Sequence, residues 1–95
     1  MNRIQKLRYV KQLASRYGAT DVRESPRKGK KYVVTYKGKD IHYGAKGYQD
    51  FIDHQDLDRR HRYRVRASKI TDKNGKLTYK DKTRANFWAY HTLWH

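Results

Sequence analysis

Apolar residues recur every three or four positions over 4–17, at Ile4, Leu7, Val10, Leu13 and Tyr17, with Lys6, Arg8, Lys11 and Arg16 elsewhere on the wheel. That spacing predicts an amphipathic helix, and Gly18 is placed to end it. Residues 20–30, "TDVRESPRKGK", hold the one proline and a basic Gly-bearing cluster, so they read as an exposed connection with room for a short strand. In "KYVVTYKGKDIHYG" (31–44) the period changes to two: Tyr32, Val34 and Tyr36 share one face, and Val33 and Thr35 the other. Ile41 and Tyr43 then meet the first set across a Lys37-Gly38-Lys39-Asp40 break, which predicts a β-hairpin. "AKGYQDFIDHQD" reads as an ordered loop pinned by Tyr48 and Phe51.

The stretch "RRHRYRVRAS" (59–68) fits two periods. From Arg60 to Ala67 arginine alternates strictly with other residues, as in a strand with one basic face. Asp56 and Asp58 just before it suit a helix start, and Leu57 joins His61, Val65 and Ser68 in one narrow stripe on a wheel. The helix accounts for more of the residues and is the reading adopted, with Arg59, Arg62 and Arg66 opposite the stripe and Arg60 and Arg64 flanking it. Over 69–83, Asn74-Gly75 between Ile70 and Leu77 to Tyr79 marks a second small hairpin or a long exposed loop. Thr83 is placed to cap a last helix, "RANFWAYHTLW", striped by Phe87, Tyr90, His91 and Trp94. The expected fold is α+β: N-terminal helix, β-hairpin, Arg-rich helix, short extended or hairpin segment, C-terminal aromatic helix. Its expected core is Ile4, Leu7, Val10, Leu13, Val34, Tyr36, Ile41, Phe87, Trp88 and Trp94.

Charge changes what this pattern means. The chain has 95 residues, with 24 Lys+Arg against 9 Asp+Glu and a formal net charge of +15. One small domain, 1–95, is expected at that length. Self-repulsion on such a scale opposes the compact state, so a polyanionic partner is expected. Hydrophobic residues are 36%, yet aromatics are 14%, which separates this chain from a disordered basic tail and implies a folded body with a charged skin. The sequence has no Cys, which excludes a disulfide framework and a zinc ribbon. No apolar run reaches the length of a signal peptide or membrane span, so an aqueous setting is expected, neither secreted nor membrane-bound.

Cations occur in every segment, as a phosphate backbone requires: Arg27, Lys28, Lys30 and Lys31, then Arg59, Arg60, Arg62, Arg64 and Arg66. Most aromatics belong to the core of so small a body, leaving Tyr48 and Tyr79, both beside loops, as candidates to stack on exposed bases. No Asn or Gln sits within the arginine array to read adenine, so weak sequence preference is expected. His91 and His95 are four apart without a third ligand at fixed spacing, and no metal site or cofactor is expected. Asp53, His54 and Asp56 could serve a metal-dependent nuclease, although such residues more often cap helices and pair with arginine. No nucleophile elbow, phosphate loop or zinc-protease motif is present, so neither catalysis nor a small-molecule substrate is expected.

The segments "RKGKKYVVTYKGKDIHYGAKGY", "DHQDLDRRHRYRVRA" and "KTRANFWAYHTLW", in that order, resemble a family of small basic proteins of uncharacterised function from giant double-stranded DNA viruses, with a shorter related pattern in tailed phages. The likeness runs over about residues 27–94, so region 19–95 carries it and the helix of 1–18 lies outside. Ala67-Ser68 stands where an Arg-His pair is expected at the end of the arginine helix, and 69–82 is longer and richer in lysine. The resemblance implies a viral setting, the virion or the infected-cell interior, and no catalytic role. The resulting expectation is a non-enzymatic minor capsid or internal virion protein that holds nucleic acid by its backbone. The alternative is a capsid-cementing protein that faces acidic capsid subunits.

Overall fold

The computed structural model describes all residues, 1–95. Its fold is α+β, in the order α1 (Arg3–Ser15), β1 (Asp21–Glu24), β2 (Lys30–Tyr36), β3 (Lys39–Ala45), α2 (Phe51–His54), α3 (Leu57–Ala67), a 3-10 turn (Thr78–Lys80) and α4 (Ala85–Trp88), which runs on as a π-helical turn (Ala89–Leu93). Asn2 and Gln5 close a reciprocal capping box on α1. The three strands form one antiparallel sheet in the order β1-β2-β3. The expected hairpin is present, with Val34 opposite Ile41 and Tyr32 opposite Tyr43. Its two-residue turn puts Lys37 at φ 48 and Gly38 at φ 76, left-handed at both positions as this tight connection demands. The connection at 20–30 does contain a strand, and Val22 pairs with Val34.

Period two sends Val22, Tyr32, Val34, Ile41 and Tyr43 to one face of the sheet, where they join Val10 and Ala14 of α1 and Phe87, Trp88, Ala89 and Leu93 of the C-terminal helix in one core. Trp88 is fully buried, and its indole N–H donates to the Lys82 carbonyl at 2.8 Å. The other sheet face is polar: Arg23 donates to Asp40 at 2.9 Å and to Thr35 at 3.1 Å, while Ser25 meets His42 at 2.7 Å. Beneath this network Val33 is fully buried.

Several expectations are corrected. Ile4 is 64% exposed, because α1 turns Val10, Leu13 and Ala14 inward. Leu7, Tyr36 and Trp94 pack against the core only partly buried, and Leu93 supplies burial that the aromatic stripe did not include. The loop expected at 45–56 contains α2, whose Asp50 and Asp53 form a capping box. Thr83 does not cap the last helix; its hydroxyl donates to Asp81 at 2.7 Å, and Arg84 stands at the cap position. That helix widens where the Trp94 N–H reaches the Ala89 carbonyl, five residues back, and Thr92 donates its hydroxyl to the Trp88 carbonyl at 2.6 Å. Residues 69–83 form neither a full hairpin nor an open loop. They are joined by a single bridge between Thr71 and Leu77.

Acid should destabilise this chain over two pH ranges. Burial lowers the pKa of His91 and of His95 below the ordinary 6.5, so the unfolded state takes up protons first. Stability they contribute is present above about pH 6.5 and falls as pH drops below it. Carboxylates follow. Asp40 is held below the ordinary 3.8 by the Thr35 hydroxyl and Arg23, Asp72 by the Lys76 and Asn74 N–H groups, and Asp81 by Thr83. Their contribution is complete above the unfolded value and lost as pH falls through the folded values. Thermal midpoints measured from pH 8 to pH 2.5 should begin to fall below about pH 6.5 and fall further below about pH 4. A midpoint that rises on acidification contradicts the assignment.

Candidate functional site

Helix α3 begins at Asp56, whose carboxylate accepts from the Asp58 and Arg59 N–H groups at 3.0 and 3.1 Å. The expected helix is therefore present, but its rotation is not the expected one. Leu57 is 65% and Val65 41% exposed, and His61 is exposed too. Arg60, Tyr63, Arg64 and Ala67, spaced i, i+3, i+4, i+7, face the body instead. Tyr63 stacks on Trp94 with ring centroids 4.2 Å apart and planes at 10°. Arg64 donates to the Trp94 carbonyl at 2.8 Å and lies 4.1 Å over the Tyr90 ring. Arg60 donates to the His95 carbonyl at 3.2 Å and lies 5.0 Å over Phe51. Two of the five arginines expected to meet a partner are thus structural, because a guanidinium satisfies carbonyl acceptors edge-on and an aromatic ring through its face.

The other three, Arg59, Arg62 and Arg66, lie along one side of α3, and no arginine of this helix pairs with a carboxylate. They form one wall of an open groove of about 640 Å³. Lys30, Gly44 and Tyr48 stand on the opposite wall, and Ala89, Leu93 and Trp94 contribute to an apolar floor. Gly44 has φ 82, and a Cβ there would come within 3.1 Å of Leu93 and of Lys31, so the missing side chain keeps this wall close to the floor. Tyr48 is 75% exposed, on the bend that leads to Asp50.

Asp50 anchors that bend. It is 2% exposed and accepts from the Lys6 ammonium at 2.9 Å and the Lys31 ammonium at 2.8 Å. Asp53 adds a second acceptor for Lys6 at 2.8 Å. Burial alone would lower the Lys6 pKa, but the hydrogen bonds to Asp53 and Asp50 outweigh it and the net shift is upward. Burial would likewise raise the Asp53 pKa, and the Lys6 hydrogen bond with the Asp50 N–H brings it below the usual range. Lys31 and Asp50 line the groove too, but as an ion pair, which leaves Lys30 as the unpaired cation of β2 there.

A family model described as a family of unknown function, DUF5754, matches residues 20–67, half of the chain. The chain belongs to the DUF5754 family. No curated protein and no solved structure matches it. The DUF5754 segment runs from β1 to the end of α3, so it holds both walls of the groove, Lys30 and Tyr48 on one side and Arg59, Arg62 and Arg66 on the other. The floor residues Ala89, Leu93 and Trp94 come from outside it.

The remaining candidates divide by their distance from that DUF5754 groove. Arg27 and Lys28 are exposed on the β1–β2 turn, off the groove but next to Lys30. Tyr79 is not a groove residue: it packs on Tyr90 at 4.9 Å between ring centroids, half-buried. Asp53, His54 and Asp56 do not converge on a metal position. Asp53 is bound to Lys6, His54 Nδ1 accepts from the Asp56 N–H at 2.9 Å, and no three His or acidic side chains gather anywhere in the chain. The apolar floor was invisible in sequence, since it is built by residues 89–94 crossing under a helix about thirty positions earlier. A trace of Asp50's role was legible in its three-residue spacing from Asp53, the capping-box pattern.

Proposed function

We propose that this DUF5754 protein is a non-enzymatic nucleic-acid-binding protein that holds the phosphate backbone along Arg59, Arg62 and Arg66. What carries the reading is that these guanidiniums stand in one row on a capped helix without a carboxylate partner, while eight of the nine acidic side chains bind other groups. Asp21, Glu24, Asp40, Asp50 and Asp53 pair with Arg3, Lys6, Lys11, Arg23 and Lys31. Asp56, Asp72 and Asp81 accept from nearby backbone N–H groups. Part of the chain's +15 excess, the guanidiniums of Arg59, Arg62 and Arg66, therefore stands in the groove without an ion-pair partner. Lys30 adds a fourth cation across the groove, and Arg27 and Lys28 extend the positive surface beyond it.

The setting we propose is the interior of a double-stranded DNA virus particle or the infected cell. Support for it is the resemblance of the three quoted segments to small basic proteins of such viruses. No helix is long and apolar enough to cross a membrane. A salt titration tests the binding. Four phosphate contacts give a log Kd against log salt slope of about 3 on single strands and about 4 on duplex. Binding of poly-glutamate or acidic capsid protein, with none of nucleic acid at low salt, would establish the cementing alternative instead.

A further inference from the structure

We infer that the groove beside α3 seats an unstacked nucleobase, so that the chain's preferred ligand is single-stranded nucleic acid. This rests on the phosphate-binding reading above and deepens it. A duplex backbone asks only for a convex or flat cationic surface, which the outer side of α3 already provides. The groove offers something a duplex does not use: an apolar lining from Ala89, Leu93 and Trp94 beside the unpaired cations Lys30, Arg59, Arg62 and Arg66 and the Lys31–Asp50 ion pair. Such a recess matches an extruded base with charged phosphates on both sides, the arrangement of single-strand binders in which aromatic residues hold bases and cations track the backbone.

The walls are suitably built. Tyr63, stacked on Trp94 at 4.2 Å, stiffens the floor from the α3 side. Tyr48 is the aromatic ring left most open, 75% exposed at the lip, and the bend carrying it is tied down by Asp50 through Lys6 and Lys31. Its ring is therefore free to cover a base that enters the groove. A poly-acidic peptide would satisfy the arginines, but its Asp and Glu side chains carry no aromatic ring to stack beneath Tyr48. The cavity, at about 640 Å³, has room for more than one base.

Three ligands of one length separate the outcomes: an oligothymidylate, the same phosphodiester chain made abasic, and a duplex. Stacking predicts that the oligothymidylate binds about tenfold or more tighter than the abasic strand, because the phosphates are equal and only the bases differ. Tyr48→Ala, at an exposed position, should remove most of that ratio while leaving abasic binding and the thermal midpoint unchanged. Equal affinity for all three ligands, falling together when Arg59, Arg62 and Arg66 are replaced, would overturn the base seat and leave backbone binding standing. Duplex bound tighter than oligothymidylate, with Tyr48→Ala silent, would overturn it too. Absence of binding to every one at low salt would overturn both readings.

Discussion

Replacing Arg59, Arg62 and Arg66 together by Gln is expected to weaken nucleic-acid binding by about 100- to 500-fold at 0.1 M salt. The figure follows from counterion release: each phosphate contact contributes roughly 0.7 to 0.9 of a log unit per decade of salt below 1 M, and three are lost. The salt slope should fall with affinity, from about 3 or 4 to about 1, as Lys30 alone remains in the groove. These three side chains make no internal salt bridge, so the thermal midpoint should hold or rise as like charges are removed. Arg60 and Arg64 supply the contrast within one helix. Their replacement by Gln removes the donors to the His95 and Trp94 carbonyls and should lower the midpoint with little change in slope. If instead the Arg60 and Arg64 pair controlled the slope, the rotation of α3 described above would be wrong.

Asp50→Ala should cost about 3–5 kcal/mol of folding stability, the range for removing one partner of a buried ion pair. The carboxylate is 2% exposed and the Lys6 and Lys31 side chains 14% each, so its loss leaves two ammonium groups facing each other with poor access to water. Asp53 remains 2.8 Å from Lys6 but 3.8 Å from Lys31, so it compensates the first better than the second. The α2 cap is lost as well, worth about 1 kcal/mol. A domain of this size has of the order of 5–14 kcal/mol in total, so the variant should be partly unfolded at 37 °C. Asp50→Asn keeps an acceptor for the Asp53 N–H and should fall between the two, and Asp50→Asn with Lys6→Met should recover part of the loss. Urea midpoints for the four proteins decide it. A change below about 1 kcal/mol in Asp50→Ala would mean the two lysines reach water without rearrangement.

The hairpin was readable because period two in β2 has one consistent outcome. Placing Tyr32 and Val34 inward places Tyr43 and Ile41 opposite them once the Lys37-Gly38 turn sets the register. The rotation of α3 was not readable, because the usual rule turns apolar residues inward, and Leu57, His61 and Val65 obeyed it on paper. Packing reversed it. Tyr63 gains a parallel stack on Trp94, and Ala67 permits close approach, while the two arginines brought inward with them find carbonyls on the C-terminal segment and the ring faces of Phe51 and Tyr90. The α2 turn carries no periodic signal of its own, since four helical residues are too few to display a period.

Local patterning accounts for α1, the hairpin and its register, the start of α3 at Asp56 and the expectation of an anionic partner, because each depends on neighbours a few positions apart or on a sum over composition. Which arginines are free, which lysine is spent on Asp50, and that a groove with an apolar floor exists at all depend on residues 6, 31, 50, 59–66 and 89–95 meeting in space. Ion pairing and cavity shape are set by distances of a few ångströms between groups far apart along the chain, and no periodicity encodes them.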